Sequence, residues 1–296
     1  MKISVGELAA LGTALCWSFG SILFTIASRK IGANATNRLR LTLALFLFIL
    51  CHLIIFGKPL PNAAPAHWFW LGLSGFIGFT IGDTLLFRAF VINGPRVTML
   101  LMSLAPIFGT IIAWLFLREI LGPAKILAII ITLSGIAWVI SGQKNNDQKK
   151  DPYLKGILLG LGASGCQTLG LFLSKKGLGN NFSPFSGNLI RLLSATITIW
   201  LIPFLQGTVG KTLEKLSDKK GALTMFGGAL LGPFLGVWLS LVAIQNTYIG
   251  IASTLMALPP IILIPLSHWI FKERITLRAI LGTVVAITGV ALIFLI

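Results

Sequence analysis

Long apolar runs recur along the whole chain, each separated from the next by a few polar residues. They lie at 5–27, 39–56, 68–90, 97–117, 122–141, 155–174, 185–206, 221–243, 249–271 and 276–296. A helix needs about 20 apolar residues to cross the roughly 30 Å of bilayer hydrocarbon, so each run is long enough to span it. Ten spans packed this tightly predict an all-α polytopic membrane protein with no separate soluble domain. Two hydrophilic stretches stand out, "SGQKNNDQKKDPYLK" at 141–155 and "GKTLEKLSDKK" at 210–220. The first lies at the midpoint. It divides the chain into a five-helix unit at 1–141, a linker at 142–154 and a second five-helix unit at 155–296.

The two units are related. Residues 75–140 superimpose on 229–294 without a gap. Gly78 then falls on Gly232, Gly82 on Gly236, Ala89 on Ala243, "LMSLAPI" (101–107) on "LMALPPI" (255–261), "RE" (118–119) on "KE" (272–273) and Gly135 on Gly289. Upstream, "SRK" after the first run resembles "SKK" after the sixth, and Arg40 and Arg191 take similar places in the second and seventh. Five helices is an odd number, so the units must cross the membrane in opposite senses. That predicts a five-plus-five inverted repeat, an architecture of many transporters.

Composition agrees with the pattern and narrows the function classes. With 55% hydrophobic and 11% charged residues and a mean hydropathy of +0.91, the 296-residue chain is no soluble domain. The net charge of +16 does not point to nucleic acid, because the Lys and Arg residues sit between apolar runs, where they act as topology signals. Cys16, Cys51 and Cys166 lie within apolar segments, are odd in number and have no metal-type spacing. Buried thiols are expected, without a disulfide framework, metal or cofactor. The segment after Lys2 shows no convincing cleavage site and is expected to remain as a helix. A Ser/His/Asp set, a His-rich metal spacing and a phosphate-binding Gly loop are all missing, which disfavours an enzyme. An intramembrane enzyme and a channel-like or structural membrane protein remain the alternatives to a carrier.

Candidate chemistry centres on Asp83, in "GFIGFTIGDTLLFRAF" (75–90). An ionisable group at the centre of a membrane helix costs about 2.5–3.5 kcal/mol on insertion scales and marks function by default. Its repeat mate is Val237, so the acid serves one unit only. Helical spacing places Phe76, Phe79, Phe87 and Phe90 on or beside the face of Asp83, and Gly75, Gly78, Gly82 and Ala89 on a second, small-residue stripe. An acid among aromatic rings suits reversible protonation or an organic cation or aromatic solute, while the plainer alternative is a hydrogen bond to a neighbouring helix. Arg88 is poorly placed to pair with Asp83 on one helix and is expected to reach the interface or another helix. Trp17 and Gln167 join the candidate binding or coupling set, because a midmembrane amide needs a partner. Pro106 and the pair Pro259 and Pro260, at matching depths, point to a hinge or gate. Glu119 and Glu273 recur beside a cation and are expected to be structural. Arg40 and Arg191 are expected to snorkel to the interface as anchors. Glu7 suits a helix N-terminus, and His268 beside Trp269 suits an interfacial pair.

The five-plus-five layout, with "ALCWSFGSILF" (14–24), "IGDTLLFRAF" (81–90), "LAPIFGTIIAWLFLRE" (104–119) and "LGTVVAITGVALI" (281–293), resembles the EamA-type branch of the drug/metabolite transporter superfamily. The resemblance covers nearly the whole chain, and the repeated Pro-then-"RE" pattern is its most specific part. It implies a small-solute carrier, often an exporter or exchanger of amino acids or other metabolites, with a central cavity between the halves. Such a protein would sit in the cell's inner membrane, with the bilayer, a small solute and protons as its partners. The sixth run departs from the family's common tryptophan, offering Gln167 where the first run has Trp17.

Ten spans put both termini on one side. The positive-inside rule places that side outside the cell, whereas the resemblance implies the cytoplasm, so the shared side is the expectation and its direction stays open.

Overall fold

A computed structural model describes residues 4–117, 122–142, 150–179, 182–246, 251 and 255–295. Among these the regular structure is helical and contains no strand. Helix α1 (Val5–Ile31) starts in a capping box: the Ser4 hydroxyl accepts from the Glu7 N–H at 3.2 Å and the Glu7 carboxylate accepts from the Ser4 N–H at 3.0 Å. Glu7 is therefore a cap in this structure. Gly32, at φ 91°, turns the chain directly into α2 (Ala33–Phe56), which ends at the left-handed Gly57.

No long loop separates the helices expected from 68–90 and 97–117, which meet at a kink near Gly94. The stretch comprises α3 (Pro65–Gly75), a π-helical segment (Phe76–Gly82) and α4 (Asp83–Met102). The expected reversal is confined to Gly94, at φ 75° and ψ 170°, followed by Pro95. A residue without Cβ makes that bend, and proline restarts the helix without needing a donor. Helices α5 (Ala105–Leu117) and α6 (Pro123–Gly142) complete the first half. In the second half come α7 (Lys150–Leu178), α8 (Pro184–Leu205), a short α9 (Val209–Leu213) with a 3₁₀ turn (Glu214–Ser217), and α10 (Lys219–Ala229). A second π segment (Leu230–Gly236) then leads into α11 (Val237–Asn246), followed by α12 (Pro259–Phe271) and α13 (Leu277–Leu295). Among the described residues seven stretches are long and apolar enough to cross a membrane, with shorter apolar helices at Pro259–Phe271 and Leu277–Ile293. The chain is a multi-pass membrane protein. Glu119 and most of the midpoint linker lie outside the described residues.

The internal repeat is structural as well as sequential. The π segments at 76–82 and 230–236 are separated by the same offset that aligns the sequences. Each half lends its first helix to the other half. Helix α1 packs along α10, the second π segment and α11, while α7 packs along α3, the first π segment and α4. Glycine makes both approaches possible. A Cβ at Gly170 would lie 3.1 Å from the Gly78 Cα, and one at Gly20 would lie 3.6 Å from the Gly232 Cα. Between membrane helices apolar burial gives no net drive, so close van der Waals approach of small residues holds them together. Helices α6 and α13 pair in the same way: a Cβ on Gly135 would strike the Ala286 backbone, and one on its repeat mate Gly289 would strike Thr132.

Two glycine substitutions separate these roles. Gly135→Leu should lower the thermal unfolding midpoint in detergent, because the added atoms meet backbone that cannot turn aside, a cost of about 1–3 kcal/mol for overpacking. Gly165→Ala has nothing within 4 Å of the new methyl and should leave the midpoint unchanged or raise it.

Candidate functional site

Inside hydrocarbon a polar side chain must find its partners in the protein, and the first π segment delivers Asp83 to such partners. Asp83 is 4% exposed. One carboxylate oxygen accepts from the Arg40 guanidinium in an ion pair, and the other accepts from the Gln167 amide at 2.8 Å. Arg40 belongs to α2 in the first half and Gln167 to α7 in the second. The carboxylate is thus held from both halves at once.

Asn37 and two aromatic rings fix Arg40. Its Nε donates to Asn37 Oδ1 at 3.1 Å, and the Asn37 side-chain NH2 donates to the Phe79 carbonyl at 3.1 Å and the Thr84 hydroxyl at 3.0 Å. Phe79 lies within the π segment, where the shifted ladder leaves a carbonyl available to a side chain. The guanidinium also lies over the Phe24 and Phe87 rings, 5.7 and 5.0 Å from their centroids. Phe24, Phe87 and Phe90 form one buried aromatic cluster.

Arg40 therefore does not snorkel to the interface, contrary to the expectation from its sequence position. It is 5% exposed and turned into the bundle, where Asp83 offsets the cost of its charge. Arg191 is also no simple anchor. Its Nε donates to the Ser74 hydroxyl at 3.0 Å, its Nη1 reaches the Asn188 carbonyl oxygen at 3.4 Å, and its guanidinium covers the Phe79 ring at 4.3 Å. A signal for both was present in the sequence: "NRLR" (37–40) and "NLIR" (188–191) each carry Asn-x-x-Arg. In a helix that spacing lets the asparagine accept from its own arginine, and both pairs do so.

The remaining candidates divide. Phe87 and Phe79 sit by the two arginines, but Phe76 is 38% exposed and turned away, because the π segment rotates the chain out of a uniform helical register. Arg88 reaches Asn34 on α2 at 3.3 Å. The Trp17 indole packs on Gly236, the mate of Gly82, and so flanks the second π segment. Pro106 occupies the second position of α5, and Pro259 and Pro260 are the first two residues of α12. These prolines do not kink a continuous helix. Each follows a break, at 103–104 and 257–258, closed by equivalent turns: Leu104 N–H to the Leu101 carbonyl at 3.1 Å and Leu258 N–H to the Leu255 carbonyl at 3.3 Å. Proline suits the first turn because its missing N–H has no helical partner there. At one end of the bundle Arg96 and Glu273 form a second pair across the halves, at 3.3 Å, with Arg29 stacked on Phe271. His268 is bound to the Glu273 carbonyl at 2.8 Å. Among the described residues no cluster of His, Cys, Asp and Glu could hold a metal ion.

A double-variant cycle measures the central pair. Arg40→Leu strands the Asp83 charge and should cost about 3–5 kcal/mol of stability, seen as a large drop in unfolding midpoint. Arg40→Leu combined with Asp83→Leu should recover most of the loss. A double variant as damaged as the sum of the two single ones would show that the groups are not coupled.

Comparison with known proteins places both halves. Residues 4–141 and 154–295 each match the model of the EamA-like transporter family. No curated protein matches the chain. A solved crystal structure, described simply as that of a protein, has 14% sequence identity and superimposes with a TM-score of 0.64 over 97% of this chain and 95% of its own, which establishes a shared fold.

Proposed function

Because the chain belongs to the EamA-like transporter family of the drug/metabolite transporter superfamily, a family of membrane transporters, we propose that it is a secondary active exporter or exchanger of small organic metabolites such as amino acids. It works by alternating access about a midmembrane site in the inner membrane. The observation that carries this reading is the Asp83 carboxylate, held simultaneously by Arg40 of one half and Gln167 of the other. Arg40 and Asp83 belong to the same half, so rocking of one half against the other stretches or exchanges the bond from Gln167. A proton on Asp83 weakens both bonds, which couples the movement to pH.

Other features support the same reading. Dividing Pro65–Met102 at Gly94 and joining the broken pairs at 103–104 and 257–258 yields ten crossings, five per half in opposite senses, with units at 1–141 and 155–296. Discontinuous helices at equivalent depths are typical of transport sites, and Pro106, Pro259 and Pro260 then mark the hinges. Trp17, Phe79, Phe87 and Gln167 complete the binding and coupling set. The cation-rich end, with Arg29, Arg38, Arg96 and Lys215, faces the side opposite both termini.

The test is counterflow in proteoliposomes with labelled amino acids and small metabolites, comparing wild type with Asp83→Asn between acid and alkaline pH. Wild-type exchange should be saturable and pH-dependent, and should approach the behaviour of the variant as pH falls, since the amide imitates the protonated acid. Asp83→Asn should be insensitive to pH. A variant that tracks wild type at every pH would leave Asp83 a structural group.

A further inference from the structure

The segment between α8 and α10 joins two membrane spans, Pro184–Leu205 and Lys219–Ser240, beside the point where α1 leaves its own span at Ile31. It therefore lies at the edge of the hydrocarbon. Leu213 and Leu216, three residues apart, are 49% and 38% exposed, while Lys211 and Lys215, four apart, line a cleft. A short segment with apolar side chains on one side and lysines on another lies flat in a membrane interface.

The cleft has a volume of about 490 Å³ and is lined by Lys30 and Ile31 at the end of α1 and by Lys211, Glu214, Lys215 and Asp218. Its walls are fastened from two sides. Arg38 Nη1 donates to the Thr212 hydroxyl at 3.0 Å, which ties α9 to α2. A Cβ on Gly221 would lie 2.5 Å from Ile31 Cγ2 and 3.1 Å from Lys30 Cβ, so α10 starts hard against the end of α1. Asp218 is committed to that start, where its carboxylate accepts from the Gly221 N–H at 2.9 Å. Among the described residues no carboxylate oxygen lies within 4 Å of the Lys30, Lys211 or Lys215 ammonium groups. Cations that only set topology need no common target. These three converge on one cavity and, against Glu214 and Asp218, leave it with a surplus of one positive charge.

We propose that the cleft binds the headgroup of a monoanionic phospholipid. The phosphodiester sits among Lys30, Lys211 and Lys215, the headgroup hydroxyls donate to Glu214, and the acyl chains run over Leu213 and Leu216. One negative charge balances the surplus, and basic pockets at the ends of membrane helices are a recurring form of headgroup site. A free phosphate ester could make the first contact only, because it has no chains to lay on the leucines. The assignment does not depend on the carrier reading above.

The test follows the unfolding midpoint of the purified protein in neutral detergent as dioleoylphosphatidylglycerol, dioleoylphosphatidylcholine or glycerol 1-phosphate is added, each shift being read against the same variant without additive. Phosphatidylglycerol should raise the midpoint saturably, and phosphatidylcholine with the same chains should require about tenfold more lipid. Replacing Lys30, Lys211 and Lys215 together by glutamine should raise the half-saturating phosphatidylglycerol about a hundredfold, a factor of about five for each cation removed. Lys155→Gln, Lys272→Gln and Arg274→Gln together remove the same charge from exposed positions at that end, and should leave it within a factor of about five of wild type. Equal losses in the two triple variants would reduce the effect to diffuse surface charge and overturn the proposal. So would the absence of a saturable response to phosphatidylglycerol, or an equal response to phosphatidylcholine. Glycerol 1-phosphate acting as well as the lipid would make the cleft a site for a soluble anion and overturn it too.

Discussion

The middle of this protein is organised by a charge that cannot be left alone. A carboxylate in hydrocarbon is tolerable only beside a cation and hydrogen-bond donors, and Asp83 finds them in Arg40 and Gln167. Meeting that demand fixes where α2, α4 and α7 cross. It also recruits Asn37, which ties Arg40 to the backbone of the π segment just before Asp83. The pair is thus part of a network reaching the carbonyl ladder itself.

Packing makes this network possible. The halves exchange their first helices, so α7 lies against the first π segment and α1 against the second. Glycine at Gly78, Gly170, Gly20 and Gly232 brings these backbones within van der Waals distance. With larger residues Gln167 would stand too far from Asp83 to bond it. The same principle holds α6 against α13, through Gly135 and Gly289, away from the polar centre. Small residues and an Asn-x-x-Arg pair recur in both halves, while the buried carboxylate is placed in one alone.

The halves differ at one pair of equivalent positions. At one symmetric position the chain places Asp83 with Gln167; at the other it places Val237 beside Gly236 and the Trp17 indole. Both π segments and both helix breaks persist, so the capacity for backbone movement is shared. The carboxylate is not shared, so a symmetric frame carries an asymmetric charge.

Much of the architecture is legible in the residues alone. The apolar runs require membrane helices, the gapless offset from 75–140 to 229–294 requires related halves, and the one-sided acid marks the centre of interest. These follow because hydropathy and periodicity are local properties that hydrocarbon enforces on every segment. Uniform helical spacing misplaced Phe76, since a π segment inserts extra rotation that no propensity scale announces. The partners of Asp83 were equally hidden. Arg40 reads as an interfacial anchor until α2 is seen to turn it inward, and Arg191 reads as its equal until one is found on a carboxylate and the other on Ser74 and Asn188. Which residues are charged, and in what order, was settled by the sequence; which charges meet was decided only by the tertiary structure, because a counter-ion 43 positions away becomes a neighbour only when helices cross.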